Sequence, residues 1–182
     1  MVMKPNTDLK SRTVELAGWL MGFAWLTIII PAAMIVLLPA DDRVAAAATL
    51  ATTPFLEYLA VSIGIGSGLN PVFSFLITVL PCTGLAMLVV GLLGFLGESS
   101  ARAKRFLDKV PARIEKYPKL KKYGVASNFF FIMFLGVYIA PGVSLILGWP
   151  RGKSVLFMAA GICAITFAIG LATVGILELI FV

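Results

Sequence analysis

The sequence predicts an all-α integral membrane protein, on three observations: its composition, its long apolar stretches and the placement of its charges. Of the 182 residues, 60% are hydrophobic and 13% are charged, whereas soluble domains have about 45–50% and about 25%. A soluble domain of this size leaves much surface exposed and could not bury so much apolar area. The composition therefore excludes a soluble enzyme, a disordered chain and a disulfide scaffold, and residues 1–182 are treated as one membrane domain.

The first apolar stretch, residues 14–38, is predicted to be a leading transmembrane helix. Twenty-five helical residues extend about 37 Å, which is enough to cross a bilayer with some tilt. The stretch is too long for a typical signal-peptide core, so we expect it to be retained. Three further apolar blocks follow: 55–97, 125–149 and 154–182. Glycine and proline residues interrupt the first two of them.

The charges predict how these blocks are arranged across the membrane. Residues 98–124 carry nine lysines and arginines, which favours a cytoplasmic location on the same side as the N-terminus. The acidic turn at Asp41 and Asp42 then lies outside, so an odd number of crossings must separate it from residue 98. We therefore interpret 55–97 as one re-entrant hairpin, with its tip at Asn70-Pro71, followed by one transmembrane helix.

The second half, residues 125–182, repeats this pattern from the cytoplasmic side. A hairpin with its tip near Pro141-Gly142 precedes an outward-crossing helix, although two full crossings remain an alternative that would place Arg151 outside. A single shift along the chain superposes Asn70-Pro71 on Ala140-Pro141, which predicts an inverted repeat. The linker 98–124 is predicted to be a basic amphipathic helix near lipid headgroups, or else a solvated connector.

Glu57 is the strongest candidate for a substrate- or proton-binding residue. A carboxylate within hydrocarbon costs about 2.5–3.5 kcal/mol on insertion scales, so acidic residues inside membranes are functional by default. The alternative is a hydrated position at the membrane interface, because Glu57 follows Pro54 closely.

The other candidates are backbone or side-chain groups near the two predicted tips. Irregular backbone at membrane depth must line a cavity or be buried in protein, which favours a substrate-binding role for Asn70, Pro71, Pro141, Gly142 and Ser144. Arg151 could attract an anionic headgroup or serve as an anchor at the interface. Three glycines are expected to allow close packing of helices: Gly64, Gly66 and Gly68.

Several of these residues resemble a known family. Glu57 with the segment SIGIGSGLNP at 62–71, together with KYGV at 122–125 and APGVS at 140–144, resembles the small multidrug export proteins. The pattern is also similar, more distantly, to the DedA/VTT-type membrane proteins, which are linked to lipid translocation and have two opposed re-entrant hairpins. The arginine that those proteins carry before the second-hairpin proline is missing here, because residues 125–140 are uncharged.

The sequence therefore predicts a membrane transporter of small amphiphiles or lipid headgroups, and the alternative is a scaffold that docks lipid or a partner through 98–124. Histidine is absent, and the chain lacks a catalytic, metal-binding or phosphate-binding motif, so we expect neither an enzyme nor a cofactor. Membrane lipids and the substrate are the expected partners, with no nucleic acid. A chain this short has few walls to enclose a cavity, so a homodimer is one expected arrangement.

Overall fold

A computed structural model describes residues 5–99 and 124–181, and all regular structure in these two ranges is helical. Five stretches are long and apolar enough to cross a membrane: Ser11–Leu37, Ala40–Gly66, Pro71–Gly97, Gly124–Ile146 and Arg151–Leu179. The all-α class is thereby confirmed, and the five stretches are those of a multi-pass membrane protein. The predicted amphipathic helix in 98–124 lies almost wholly outside the described residues.

Seven α-helices make up these stretches. Helix α1 is Pro5–Ala24, and a π-helical turn at Trp25–Ile29 joins it to α2. A short 3₁₀ turn at Glu57–Leu59 separates α3 from α4, and another at Gly124–Ser127 precedes α6. The bounds of the remaining helices are Ile30–Leu37 for α2, Ala40–Leu56 for α3, Ala60–Gly66 for α4, Pro71–Ser99 for α5, Asn128–Ile146 for α6 and Arg151–Phe181 for α7.

The stretch Ala40–Gly66 is not straight, because the chain folds back at Glu57–Leu59. A Cβ added at Gly64 would lie 2.8 Å from Oγ1 of Thr49, whereas these two positions would be about 22 Å apart along an uninterrupted helix. Glu57 has φ 51° and ψ −120°, which is outside the helical region. Helices α3 and α4 are therefore the two arms of a helical hairpin, which we call the first hairpin.

The stretch Gly124–Ile146 folds back in the same way. Nδ2 of Asn128 donates to Oγ of Ser144 at 3.2 Å, although a continuous helix would separate these residues by about 24 Å. The reversal occurs inside α6 at Gly136, whose φ of 78° and ψ of 174° are non-helical. We call Gly124–Ile146 the second hairpin.

The two hairpins enter the bundle from opposite ends. Trp19 of α1 packs on Gly91 of α5, and Glu15 of α1 pairs with Arg151 of α7 at 2.7 Å. These contacts bring together the start of α1, the end of α5 and the start of α7. We call this the Glu15 end, and the second hairpin enters from it. At the other end, Oγ of Ser62 lies 2.7 Å from Oγ1 of Thr173, so the first hairpin enters where α7 finishes.

The turn that follows each hairpin carries the same set of hydrogen bonds. Gly68 and Gly148 have φ values of 86° and 69°, a left-handed conformation that glycine adopts readily at helix C-termini. We call the shift that superposes Gly68 on Gly148 the repeat offset. Around these glycines, four backbone bonds correspond one to one: Ser67→Ile63 with Leu147→Val143, Gly68→Ile65 with Gly148→Leu145, Leu69→Gly64 with Trp149→Ser144, and Ser74→Asn70 with Ser154→Pro150. The observed correspondence thus matches Asn70 with Pro150, whereas the sequence predicted a match with Ala140.

The positions predicted for the two tips were wrong. Asn70-Pro71 is the turn between the first hairpin and α5, where Oδ1 of Asn70 caps the helix by accepting from the Val72 N–H at 2.9 Å. Pro141 lies inside α6, about one turn beyond the reversal. Proline holds φ at a negative value that fits a helical start, whereas these reversals require positive φ. Residues 44–56 form most of the first hairpin's incoming arm.

Replacing Gly64 by leucine is expected to destabilise the first hairpin. A Cβ at this position would lie 2.5 Å from Oγ of Ser74 and 2.8 Å from Oγ1 of Thr49, so the added side chain would force the arms apart at a cost of about 1–3 kcal/mol. Thermal unfolding in detergent would measure this loss. Gly66→Leu is the matched control, because a Cβ at Gly66 meets no atom within 4 Å. Equal unfolding temperatures for the two variants would contradict the folded-back arrangement.

Candidate functional site

The tips of the two hairpins touch each other at the edge of the core. The carboxylate of Glu57 accepts a hydrogen bond at Oε2 from the backbone N–H of Val137, at 3.1 Å. The hydroxyl of Tyr58 donates to the carbonyl of Ile132, and the hydroxyl of Tyr138 donates to the carbonyl of Pro54. We call this contact, formed by Glu57, Tyr58, Gly136, Val137 and Tyr138, the tip junction.

Each bond in the tip junction joins a side chain of one hairpin to a backbone group of the other hairpin beside its break. Val137 begins the returning arm of the second hairpin, where the first N–H groups have no carbonyl one turn earlier. A carboxylate at such a helix start is also favoured by the helix dipole. The carbonyls of Pro54 and Ile132 lie one turn before the two breaks, and each accepts a hydrogen bond from a tyrosine hydroxyl of the opposite hairpin.

The junction also requires a glycine at position 136. A Cβ there would lie 2.7 Å from Oε2 and 2.8 Å from Oε1 of Glu57, and the φ of 78° is unfavourable for residues other than glycine. Glu57 itself has a positive φ, which costs on the order of 1–3 kcal/mol and is found mainly at functional sites. The interactions of the carboxylate with the second hairpin offset that cost.

Glu57 lies at the boundary between the protein core and the outer surface. Behind it, Tyr58 is 8% exposed and Cys82 is fully buried within the main apolar core, which α5, α6 and α7 build. In front of it, Phe55 is 85% exposed and Phe134 is 82% exposed. A half-buried carboxylate in this position can exchange a proton or accept a hydrogen bond from a ligand, and it is the only acidic side chain in the junction.

The other predicted site residues lie away from this contact. Asn70 and Pro71 form the turn that starts α5, and Pro141 and Gly142 belong to the returning arm of the second hairpin. Ser144 is 3% exposed and donates to Oγ of Ser154 at 2.7 Å. This serine therefore pins the second hairpin to α7.

Arg151 begins α7 at the Glu15 end, where its guanidinium forms an ion pair with Glu15 at 2.7 Å. The side chains of Arg151 and Glu15 are 22% and 49% exposed. A Cβ at Gly94 would lie 2.7 Å from the guanidinium carbon, so this glycine makes room for the arginine. Arg151 thus joins α1, α5 and α7.

Of the three glycines expected to permit close packing, Gly64 does so against Thr49 and Ser74. A Cβ at Gly66 or Gly68 would meet no atom within 4 Å. Gly68 serves the turn instead, through its positive φ of 86°.

Sequence reasoning missed Tyr58, Gly136, Val137 and Tyr138. The sequence does contain a pattern that points to these residues. The repeat offset aligns Glu57-Tyr58 with Val137-Tyr138 and Ala60 with Ala140. Two tyrosines at matched positions are a weak pattern within an apolar chain, and proline is the more usual indicator of a break.

Comparison with protein-family models, with curated proteins and with solved structures finds no match to this chain.

Gly136→Ala is expected to destabilise the tip junction. The methyl group would collide with the Glu57 carboxylate, and alanine would have to adopt a positive φ, so we expect a loss of about 1–3 kcal/mol in unfolding free energy. Chemical unfolding in mixed micelles would measure it. Gly152→Ala serves as the control, because no atom lies within 4 Å of a Cβ at that helical position. A stability for Gly136→Ala equal to that of the control would count against the junction.

Proposed function

We propose that this protein is an integral membrane transporter that moves a small amphiphile or a lipid headgroup through the bilayer at the tip junction. The observation that carries the proposal is the position of Glu57, whose carboxylate holds the backbone of the opposed hairpin at 3.1 Å. An acidic side chain at such a depth is expensive to maintain for packing alone. Its value lies in its ability to bind a proton or a hydrogen-bonding group of the substrate.

In this proposal the hairpins are re-entrant and form an inverted repeat. Their entry from opposite ends of the bundle supports this, as do the four backbone bonds that correspond at the repeat offset. Helix α3 has 17 residues and a length of about 25 Å, so its tip would end within a hydrocarbon layer of about 30 Å. Transporters with inverted repeats bind their substrates where the broken segments meet.

We further propose that the Glu15 end faces the cytoplasm. The end of α5 lies at the Glu15 end, because Gly94 contacts Arg151. The start of α6 lies there too, because Asn128 bonds to Ser144 and Ser144 bonds to Ser154 near the start of α7. The linker 98–124 connects these two parts of the chain. The nine cations of the linker and those of the N-terminal segment would then be on the cytoplasmic side, as the positive-inside rule requires.

The tip junction suggests how transport would proceed. Protonation of Glu57, or its binding of a substrate donor, would weaken the bond that it accepts from the Val137 N–H. The two tips would then separate on one side and allow the substrate to pass, and re-formation of the bond would close the path. The tyrosine bonds to Pro54 and Ile132 would keep the hairpins aligned during this exchange.

Glu57→Gln is expected to abolish substrate movement while leaving the fold intact. Glutamine keeps an oxygen that can accept from the Val137 N–H, but it cannot carry the charge or exchange the proton. Flux of a fluorescent amphiphile or of a labelled lipid across proteoliposome membranes would be measured.

The matched control is Glu178→Gln, which neutralises an exposed carboxylate near the end of α7. Wild-type flux in Glu57→Gln, with normal unfolding, would remove Glu57 from the mechanism.

Single cysteines at Ser67 and Gly152 are expected to label from opposite sides of the membrane. Both positions are exposed, and they lie in the turn after the first hairpin and at the start of α7. In intact cells a membrane-impermeant maleimide should modify Ser67→Cys at once and Gly152→Cys only after permeabilisation. Labelling of both from the same side would contradict the proposed arrangement.

A further inference from the structure

An open apolar groove of about 240 Å³ lies between the first hairpin, α5 and α7. Val61 and Ile65 of the returning arm form one wall, and Phe75 of α5 forms another. Helix α7 completes the groove with residues on one of its faces: Thr166, Phe167 and Gly170. Gly170 directly faces the returning arm, because a Cβ there would lie 3.7 Å from Val61 and 3.8 Å from Ile65, at van der Waals contact.

The corresponding position in the other half of the protein is filled. Three further residues line the open groove: Pro71, Leu171 and Val174. At the repeat offset their counterparts are, in the same order, Arg151, Gly91 and Gly94. Helix α1 covers these counterparts, since Trp19 packs on Gly91 and Glu15 pairs with Arg151. At the filled position α1 packs between the elements, whereas no helix among the described residues covers the open groove.

The deep end of the open groove carries an unsatisfied polar group. Thr166 is fully buried, and its Oγ1 has no hydrogen-bond partner among the described residues. A buried hydroxyl without a partner costs about 1–3 kcal/mol. Val61 lies one helical turn after Glu57, and α7 contacts the Glu57–Leu59 turn, so this end of the groove adjoins the tip junction.

We propose that the open groove binds the hydrocarbon chain of a single-chain amphiphile whose amine head lies at the tip junction, between Thr166 and Glu57. The apolar walls match the chain, and the Thr166 hydroxyl and the Glu57 carboxylate both accept hydrogen bonds from a protonated amine. The chain would extend from the junction toward Leu171 and Val174. The inference rests on the proposed function for its role in transport, but binding is measured without any flux.

The experiment uses a long-chain alkylamine that carries a photoactivatable diazirine in its chain. The purified protein is irradiated with this probe in liposomes, and the modified peptides are identified by mass spectrometry. We expect labels on Phe75, Phe167 and Leu171. Gly170→Phe should lose most of this labelling because its ring fills the groove, whereas Gly175→Phe should keep it, since Gly175 is exposed on the same helix with no atom within 4 Å of a Cβ.

Thr166→Val tests the head position without changing the volume of the side chain. The loss of one hydrogen bond should reduce labelling about fivefold at limiting probe concentration. A diazirine fatty acid of the same length should label the groove less than the amine does, because its head would face the Glu57 carboxylate.

If Gly170→Phe leaves the labelling unchanged, the chain does not bind in the open groove. If the amine and the fatty acid label equally, the amine head does not lie between Thr166 and Glu57. Groove labelling in wild-type protein that shows no flux would leave this inference standing and remove the transport function instead.

Discussion

The structure depends on one constraint: backbone groups freed by a broken helix must find new partners when no water is near. Two helices are broken, at Glu57 and at Gly136, and each break lies where the other can supply what is missing. The carboxylate of Glu57 accepts from the Val137 N–H, and two tyrosine hydroxyls donate to the carbonyls of Pro54 and Ile132. Each tip therefore supplies hydrogen-bonding partners for the backbone of the other.

The two hairpins bring their arms together by different means at matched positions. In the first, Gly64 allows close approach to Thr49 and Ser74 without any side chain of its own. In the second, Ser144 occupies the corresponding place and bonds to Ser154 at 2.7 Å and to Asn128 at 3.2 Å. Small residues permit close packing in membranes and hydroxyls add hydrogen bonds, so either choice holds a short arm against a long helix.

Composition predicted the all-α membrane class, because it is a property summed over many residues. The reversals could not be predicted, since each depends on the backbone of one residue. Glycine and proline are the usual indicators of a turn, and they led to Asn70-Pro71 and Pro141. The first reversal occurs instead at a glutamate with φ 51°, a conformation that no local pattern favours. The carboxylate of this residue bonds to the backbone of the other hairpin, and that contact is not visible in either segment alone.

Helix α1 makes the two halves unequal, and packing contributes more to its position than charge does. The pair of Glu15 with Arg151 is partly exposed, and such pairs contribute about 0–1 kcal/mol. Trp19 lies directly on Gly91, and Met87 of α5 lies on Gly22, so apolar burial along α5 stabilises the helix more than the ion pair does. The groove at the Glu15 end is filled by α1 and opens only if α1 leaves α5. The open groove needs no such movement. The grooves at the two ends of the bundle therefore differ in the energy required to open them.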